Sequence, residues 1–332
     1  MNETYRAAVC TALTGPSSIV VKSLPRKKLA SDEVRIKVHA AGVNYPDLLM
    51  TSGGYQLKLD PPFVPGMEVA GEVIEVGRHV DDWKPGQSVI AATRSGGFAE
   101  EVTVSANSAI PKPAILSLEQ GACFIVAART AYHALVERGG LTSDDTLLVL
   151  GATGGVGLAA VQMAHAIGAR IFGVGSSDEK LSVAKEKGAD HVLNYTVCDL
   201  IDQVTALSPE GVSVVFDPVG GELAVAARRL MSWGGRYLIV GFASGDVPLF
   251  PANHAILKGY SLIGVRAGEA ARRDPASLRA SLENLLQLAS QGAMTPHIYQ
   301  RFSLSETGAA LKTLADRGVT DRIALIMDRD ER

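Results

Sequence analysis

The chain has 332 residues, with 32 Lys or Arg against 35 Asp or Glu and a formal net charge of −3. That balance argues against a bulk nucleic-acid or anionic-membrane binder, which normally carries a basic stripe. Apolar residues at 47% and charged residues at 20% exclude wholesale disorder, and the length favours two domains. Cys10, Cys123 and Cys198 lie far apart with no Cys-x-x-Cys pair, so neither a disulfide framework nor a thiolate zinc site is readable. The first ten residues carry Glu3 and Arg6 with no apolar core behind them, unlike a secretory signal. A protein of the cytoplasm is expected.

Before about Gly121 the chain reads as β-rich. Residues 34–40 (VRIKVHA) and 68–76 (EVAGEVIEV) alternate apolar and polar positions, the pattern of half-buried strands. Turn pairs such as Gly53-Gly54, Pro65-Gly66, Pro85-Gly86 and Gly96-Gly97 punctuate them. Beyond Gly121, strands at 146–152, 170–175, 191–195, 212–219 and 236–242 alternate with helices at 156–167, 178–187, 200–207 and 222–231. Such alternation implies right-handed crossovers and a parallel sheet covered on both faces. A further strand follows at 260–266, then a long helix at 275–291 and a last strand at 322–328. The window 147–169 lacks Asp, Glu, Lys and Arg, but its glycine cluster fits a buried strand, tight turn and buried helix better than a membrane span.

Leu147-Leu148-Val149-Leu150 runs into Gly151-Ala152-Thr153-Gly154-Gly155-Val156-Gly157 and then into an apolar helix. A glycine turn between strand and helix in a βαβ unit is the setting of the dinucleotide fingerprint. Gly154 and Gly155 would let backbone N–H groups approach a pyrophosphate at the helix N-terminus, and Gly157 would let helix and strand touch. No Gly-Lys-Ser/Thr follows, so an ATP- or GTP-type phosphate loop is excluded. An NAD site usually has Asp or Glu at the end of its second strand. Here that strand ends in Val174-Gly175-Ser176-Ser177, with Lys180 one turn on and Tyr195 at the end of the third strand. A 2′-phosphate would meet Ser176 and Lys180, which favours NADPH. Ser176-Ser177-Asp178-Glu179 also reads as a capping box, and Asp178 stands close enough to imitate the NAD acid.

A zinc alcohol dehydrogenase needs Cys and His ligands at positions that here read Gly42-Val43-Asn44-Tyr45-Pro46-Asp47 and Pro65-Gly66-Met67-Glu68. Met67 stands where the histidine would be, and thioether is a poor zinc ligand. No metal site is expected. The pattern Ala41-Gly42-Val43-Asn44-x-x-Asp47, Tyr55, Pro65-Gly66-x-Glu68, Gly97-x-Ala99-Glu100, Thr130-Ala131-Tyr132, Gly154-Gly155-Val156-Gly157 and Phe216-Asp217-x-Val219-Gly220-Gly221 resembles the zinc-free quinone oxidoreductase branch of the medium-chain dehydrogenase/reductase superfamily. The resemblance runs from about Tyr5 to Ile326.

That resemblance implies a GroES-like β-rich catalytic domain (1–124 and 264–332) with an inserted Rossmann domain (125–263), an α/β architecture. It implies NADPH-dependent hydride transfer to a quinone or an α,β-unsaturated carbonyl, with enoyl thioester reduction or a non-catalytic NADPH-binding scaffold as alternatives. Catalytic candidates are Tyr55, as a proton donor or a packing residue, Asn44 beside the nicotinamide ribose, and Asp47. Cofactor candidates are Asn44, Thr130, Thr153, Gly154, Gly155, Val156, Gly157, Ser176, Lys180, Tyr195, Gly241, Phe242, Ala243 and Arg322. In relatives a Lys occupies the last of these positions, which leaves open whether Arg322 holds the cofactor phosphate. The strand at 260–266 reads as an apolar sheet edge, and pairing it with a two-fold mate would give a homodimer.

Overall fold

A computed structural model describes residues 3–316 and 319–327. The chain opens with a hairpin of β1 (Thr4–Cys10) and β2 (Ile19–Pro25). There follow β3 (Glu33–Val43), α1 (Tyr45–Thr51), β4 (Glu68–Val76), β5 (Ser88–Ala92), β6 (Glu101–Ser105) and β7 (Ala109–Pro111). Helices α2 (Leu118–Ala122) and α3 (Ile125–Tyr132) lead through a π-helical turn, His133–Arg138, into the alternating series. It comprises β8 (Thr146–Leu150), α4 (Gly155–Ile167), β9 (Arg170–Gly175), α5 (Asp178–Glu186), β10 (His191–Asn194) and α6 (Leu200–Leu207). It continues with β11 (Val212–Asp217), α7 (Gly221–Arg229), β12 (Met231–Ile239), α8 (Ala252–Lys258) and β13 (Ser261–Gly264). Then come α9 (Ala267–Arg273), α10 (Pro275–Ser290), β14 (Ile298–Ser303), α11 (Thr307–Ala315) and β15 (Arg322–Ile326). The expected end of the last strand, at Asp328, lies outside the described residues.

Chain contacts define two compact units, Met1–Val126 with Thr295–Arg332, and Ala127–Met294. The first unit is built on a mixed sheet in the order β14-β15-β3-β4-β5-β7, with β6 also paired to β3. Along β3 every second residue enters the core until Val38; from Ala40 to Val43 all are buried. There β3 lies between β4 and β15, so both its edges are occupied.

The second unit is a parallel sheet in the order β10-β9-β8-β11-β12-β13. Its central strand β8, Thr-Leu-Leu-Val-Leu, is an unbroken apolar run because helices cover both faces. The order reverses direction between β8 and β11. In open α/β sheets such a switch point, at the carboxyl ends of the strands, is where ligands bind.

Two boundaries depart furthest from those read in the sequence. The second unit extends to Met294 rather than 263, because α9 and α10 pack on the π-helical turn and α3. Ser281 Oγ donates to Glu137 at 2.5 Å, Asn284 Nδ2 donates to the Tyr132 hydroxyl at 2.8 Å, and Arg129 bonds the Ala267 carbonyl. Apolar periodicity gives a helix but not its partner. Strand β12 begins at Met231, five residues before the expected start, where the register with β11 slips between Val212 and Val214. Ser232-Trp233-Gly234-Gly235 carries no strand-like alternation to announce it.

Leu148 is fully buried in the core formed with Leu150, Phe172, Val174 and Val215. Leu148→Ala should lower unfolding free energy by about 2–5 kcal/mol in urea titrations, the usual loss for a truncated core leucine. A change below about 1 kcal/mol would contradict this core.

Candidate functional site

In the first unit, four polar residues meet with almost no solvent. Asn44, Asp47, Glu68 and Arg322 are 4%, 0%, 0% and 4% exposed. Asn44 caps α1, with Pro46 in the first turn, so the chain leaves β3 and turns at once into the helix. Asp47 reaches back: one carboxylate oxygen accepts from the Asn44 N–H at 2.9 Å, the other from the Gly66 N–H at 3.0 Å. Glu68, first residue of β4, accepts from Asn44 Nδ2 at 3.0 Å, from the Val126 N–H at 3.0 Å, and from the Arg322 guanidinium. Arg322, first residue of β15, also donates to Asn44 Oδ1 at 2.9 Å. Its Nε is buried without a partner. Gly42 is needed here because a Cβ would lie 2.4 Å from the Ala122 carbonyl and 2.7 Å from Glu68 Oε1.

Two buried carboxyl groups stand in the field of one guanidinium, which bonds Glu68, while Asp47 accepts from the main-chain N–H groups of Asn44 and Gly66. Burial, opposed by the two N–H bonds and by Arg322, raises the Asp47 pKa to about 7. Burial likewise lowers Arg322 to about 10, with Asp47 opposing that shift. The structure therefore places Arg322, whose role the sequence left open, on Glu68 and Asn44. Both amide hydrogens of Asn44 have acceptors, Glu68 and the Gly42 carbonyl at 3.3 Å. Tyr55 and Met67 are half-buried. Cys123 is buried with its thiol pKa pushed up, first by desolvation and then by Asp321 and Glu119. Among the described residues, no cluster of three or more His, Cys, Asp or Glu could hold a metal ion.

In the second unit, the turn after β8 delivers Gly154 as the N-cap of the thirteen-residue α4. No side chain caps that end, and no acidic residue occupies its first turn. A Cβ at Gly154 would meet only the Gly151 carbonyl, at 3.6 Å, so the space in front of the helix is open. A Cβ at Gly157 would lie 2.1 Å from the same carbonyl, so only glycine lets α4 sit against the turn. An uncapped helix N-terminus with free space and no acid nearby suits a diphosphate.

At the end of β9, Gly175 touches Thr153, Ser176 is exposed, and Lys180 is half-buried in the first turn of α5. Ser177 caps that helix, accepting from the Lys180 N–H at 3.5 Å. Asp178 is engaged by Asn194 Nδ2 at 2.9 Å, and Tyr195 is exposed beside it at the end of β10. Gly241, Phe242 and Ala243 follow β12, with Phe242 exposed, and Thr130 lies half-buried on α3. Glu68 and Asp217 are two buried acids that sequence reasoning did not single out. Their only signal was a place inside the family motif.

Two family models match the chain: an alcohol dehydrogenase GroES-like domain over residues 30–114 and a zinc-binding dehydrogenase model over residues 155–290. A quinone oxidoreductase-like protein 2 homolog of Nematostella vectensis is 34% identical over 327 residues, 97% of this chain and 89% of that protein. The human synaptic vesicle membrane protein VAT-1 homolog is 30% identical over 346 aligned positions, 97% and 86% of the two chains. The quinone oxidoreductase from Thermus thermophilus, solved also as its complex with NADPH, superimposes with a TM-score of 0.85 at 30% identity, covering 97% and 100%. Fold and matches together define an oxidoreductase of the medium-chain dehydrogenase/reductase class. Within it, the chain belongs to the quinone oxidoreductase-like family.

Arg322→Met should leave Glu68 buried without its cation and lower stability by about 3–5 kcal/mol. An unfolding titration showing less than about 1 kcal/mol would mean the pair is not buried as described. A raised acid pKa binds protons in the folded state that the unfolded chain releases, so its contribution to stability falls as pH rises from about 4 to about 7. The stability of the wild type minus that of Asp47→Asn should therefore decrease across that window. A flat difference would show that Asp47 is ionised throughout.

Proposed function

We propose that the chain is an NADPH-dependent, zinc-independent reductase of quinones or α,β-unsaturated carbonyls, acting in the cytoplasm. The observation that carries this reading is the open, uncapped N-terminus of α4 next to a β9 that ends at Gly175 and runs into Ser176-Ser177, with Lys180 in the first turn of α5 and the nearby Asp178 engaged by Asn194. The NADPH complex of the Thermus relative supports the same choice of cofactor. In the first unit, Asn44 and Met67 occupy positions where a zinc dehydrogenase would have ligands, and Arg322 supplies the cluster's positive charge. Thioether and amide are poor partners for zinc. No helix among the described residues is long and apolar enough to cross a membrane.

NADPH, when bound, supplies the hydride. The backbone N–H groups of Gly155, Val156 and Gly157 would hold its diphosphate, and Ser176 and Lys180 its 2′-phosphate. Tyr55, with an O–H on a partly exposed bend, is the donor proposed for the acceptor's carbonyl oxygen or enolate. Asn44 and Asp47 hold the chain around that bend rather than move protons, because their polar atoms are engaged within the protein. Arg322 serves the cluster and not the phosphate.

Purified protein should oxidise NADPH steadily with one or more members of a panel of quinones, enones and enoyl thioesters. Tight NADPH binding with no turnover across the panel would favour a non-catalytic scaffold. Lys180→Ala should weaken NADPH by about 1.5–3 kcal/mol and leave NADH nearly unchanged, since only the 2′-phosphate is lost to it. Equal losses for both cofactors would overturn that assignment.

We also propose a homodimer. Strand β13 closes the sheet with only β12 beside it, and Leu262 on it is 41% exposed. Trp233, 80% exposed, lies against the Gly259 turn just before it. An apolar open edge is satisfied by pairing with its two-fold mate. Leu262→Pro should weaken the dimer in sedimentation runs while NADPH binding persists. A wild type sedimenting as a 34.9 kDa monomer at micromolar concentration would refute the dimer.

A further inference from the structure

The proposed chemistry makes no use of Asp217, yet this acid of the second unit is buried and accepts three hydrogen bonds. It ends β11 at 1% exposure. One carboxylate oxygen accepts from the N–H groups of Val219 and Gly220, both at 2.8 Å; the other accepts from the Tyr237 hydroxyl at 2.8 Å. All three donors are neutral. A buried carboxylate held by neutral donors gives up solvation for geometry. What it shapes is the turn Asp217–Gly221, in which Gly220 and Gly221 adopt φ of 73° and 60°.

That turn works in two directions. Toward β8, Val219 Cγ2 stands 2.9 Å from where a Cβ on Gly151 would be, so it packs on the first glycine of the dinucleotide turn. Toward β12, its main chain templates the segment 240–246. The Asp217 carbonyl accepts from Val240 at 2.8 Å and Gly241 at 3.2 Å, those of Pro218 and Val219 accept from Ala243 at 3.0 Å and Ser244 at 2.9 Å, and Gly221 donates to Asp246 at 3.1 Å. The carboxylate thus sets one loop, and that loop sets the next. Both lie on the β11–β12 side of the switch point, whereas Ser176 and Lys180 lie on the β9 side.

We infer that Asp217 and Tyr237 are a positioning pair that holds the loops receiving the nicotinamide half of the dinucleotide. The inference rests on the NADPH reading above, and on the rule that a dinucleotide spans the switch point, one half on either side. Neither residue touches the cofactor; both act through main chain that does.

The test compares two ligands. NADPH engages both halves of the crevice, whereas adenosine 2′,5′-bisphosphate carries the adenosine phosphates and no nicotinamide. In Asp217→Ala the Kd for NADPH should rise roughly tenfold or more, the worth of a hydrogen bond to a charged group. The bisphosphate should bind as it does to the wild type. Asp217→Asn, whose amide oxygen still accepts both N–H bonds, should recover most of the loss. Tyr237→Phe keeps those two bonds and tests the hydroxyl alone; it carries the comparison by itself if Asp217→Ala does not fold. Equal weakening of both ligands, or unchanged NADPH binding in a folded variant, overturns the inference while the cofactor reading stands. A wild type that binds the bisphosphate and NADPH no better than inorganic phosphate overturns both.

Discussion

The first unit depends on one ion pair that never meets water. Glu68 and Arg322 come from opposite ends of the chain, at the starts of β4 and β15, and β3 runs between those strands. Taking both charges out of solvent costs several kcal/mol per ion, returned only by good geometry and full hydrogen bonding. The Glu68 carboxylate meets that condition with Arg322, Asn44 and the Val126 main chain. Asn44 is fixed by the pair through both ends of its amide, and Asp47 is fixed by Asn44 and Gly66. The bend that carries Tyr55 follows directly from α1, which this cluster caps. Removing either charge would strand the other and release Asn44, which the pair holds through both ends of its amide.

A metal-centred relative places a dication where catalysis needs positive charge. Here Asn44 and Met67 stand at those positions, and the local positive charge is a guanidinium bonded to a carboxylate. Under the proposed function, catalysis rests on positioning of donor and acceptor and on hydrogen bonds. The second unit supplies positioning by glycine geometry. Gly157 lets α4 close on the turn, Gly154 keeps its mouth open, and the Asp217 turn abuts Gly151 from the other side.

Much of the second unit was legible in the sequence, since strand–helix alternation and a glycine turn are local patterns with local causes. The stretch 147–169 resolved as expected into strand, turn and buried helix. What sequence could not show was pairing. The placement of α9 and α10, the early start of β12 and the β14–α11 segment all depend on partners distant in the chain. The same holds for the candidate site: Asn44 and Asp47 were visible as a motif, but Glu68 as the acceptor for Asn44 required the pairing of β3 with β4, and Arg322 as its counter-charge required contacts across more than two hundred residues. Asp217 hid for a similar reason, because its partner Tyr237 carries no signal of its own.

The NADPH site proposed for this chain needs no metal. Calorimetric titration of chelator-treated protein with NADPH, and separately with NADH, tests it most directly. One NADPH site per chain is expected, tighter than NADH and unchanged by chelation or by added zinc. Binding that prefers NADH, or that appears only when zinc is restored, would contradict it.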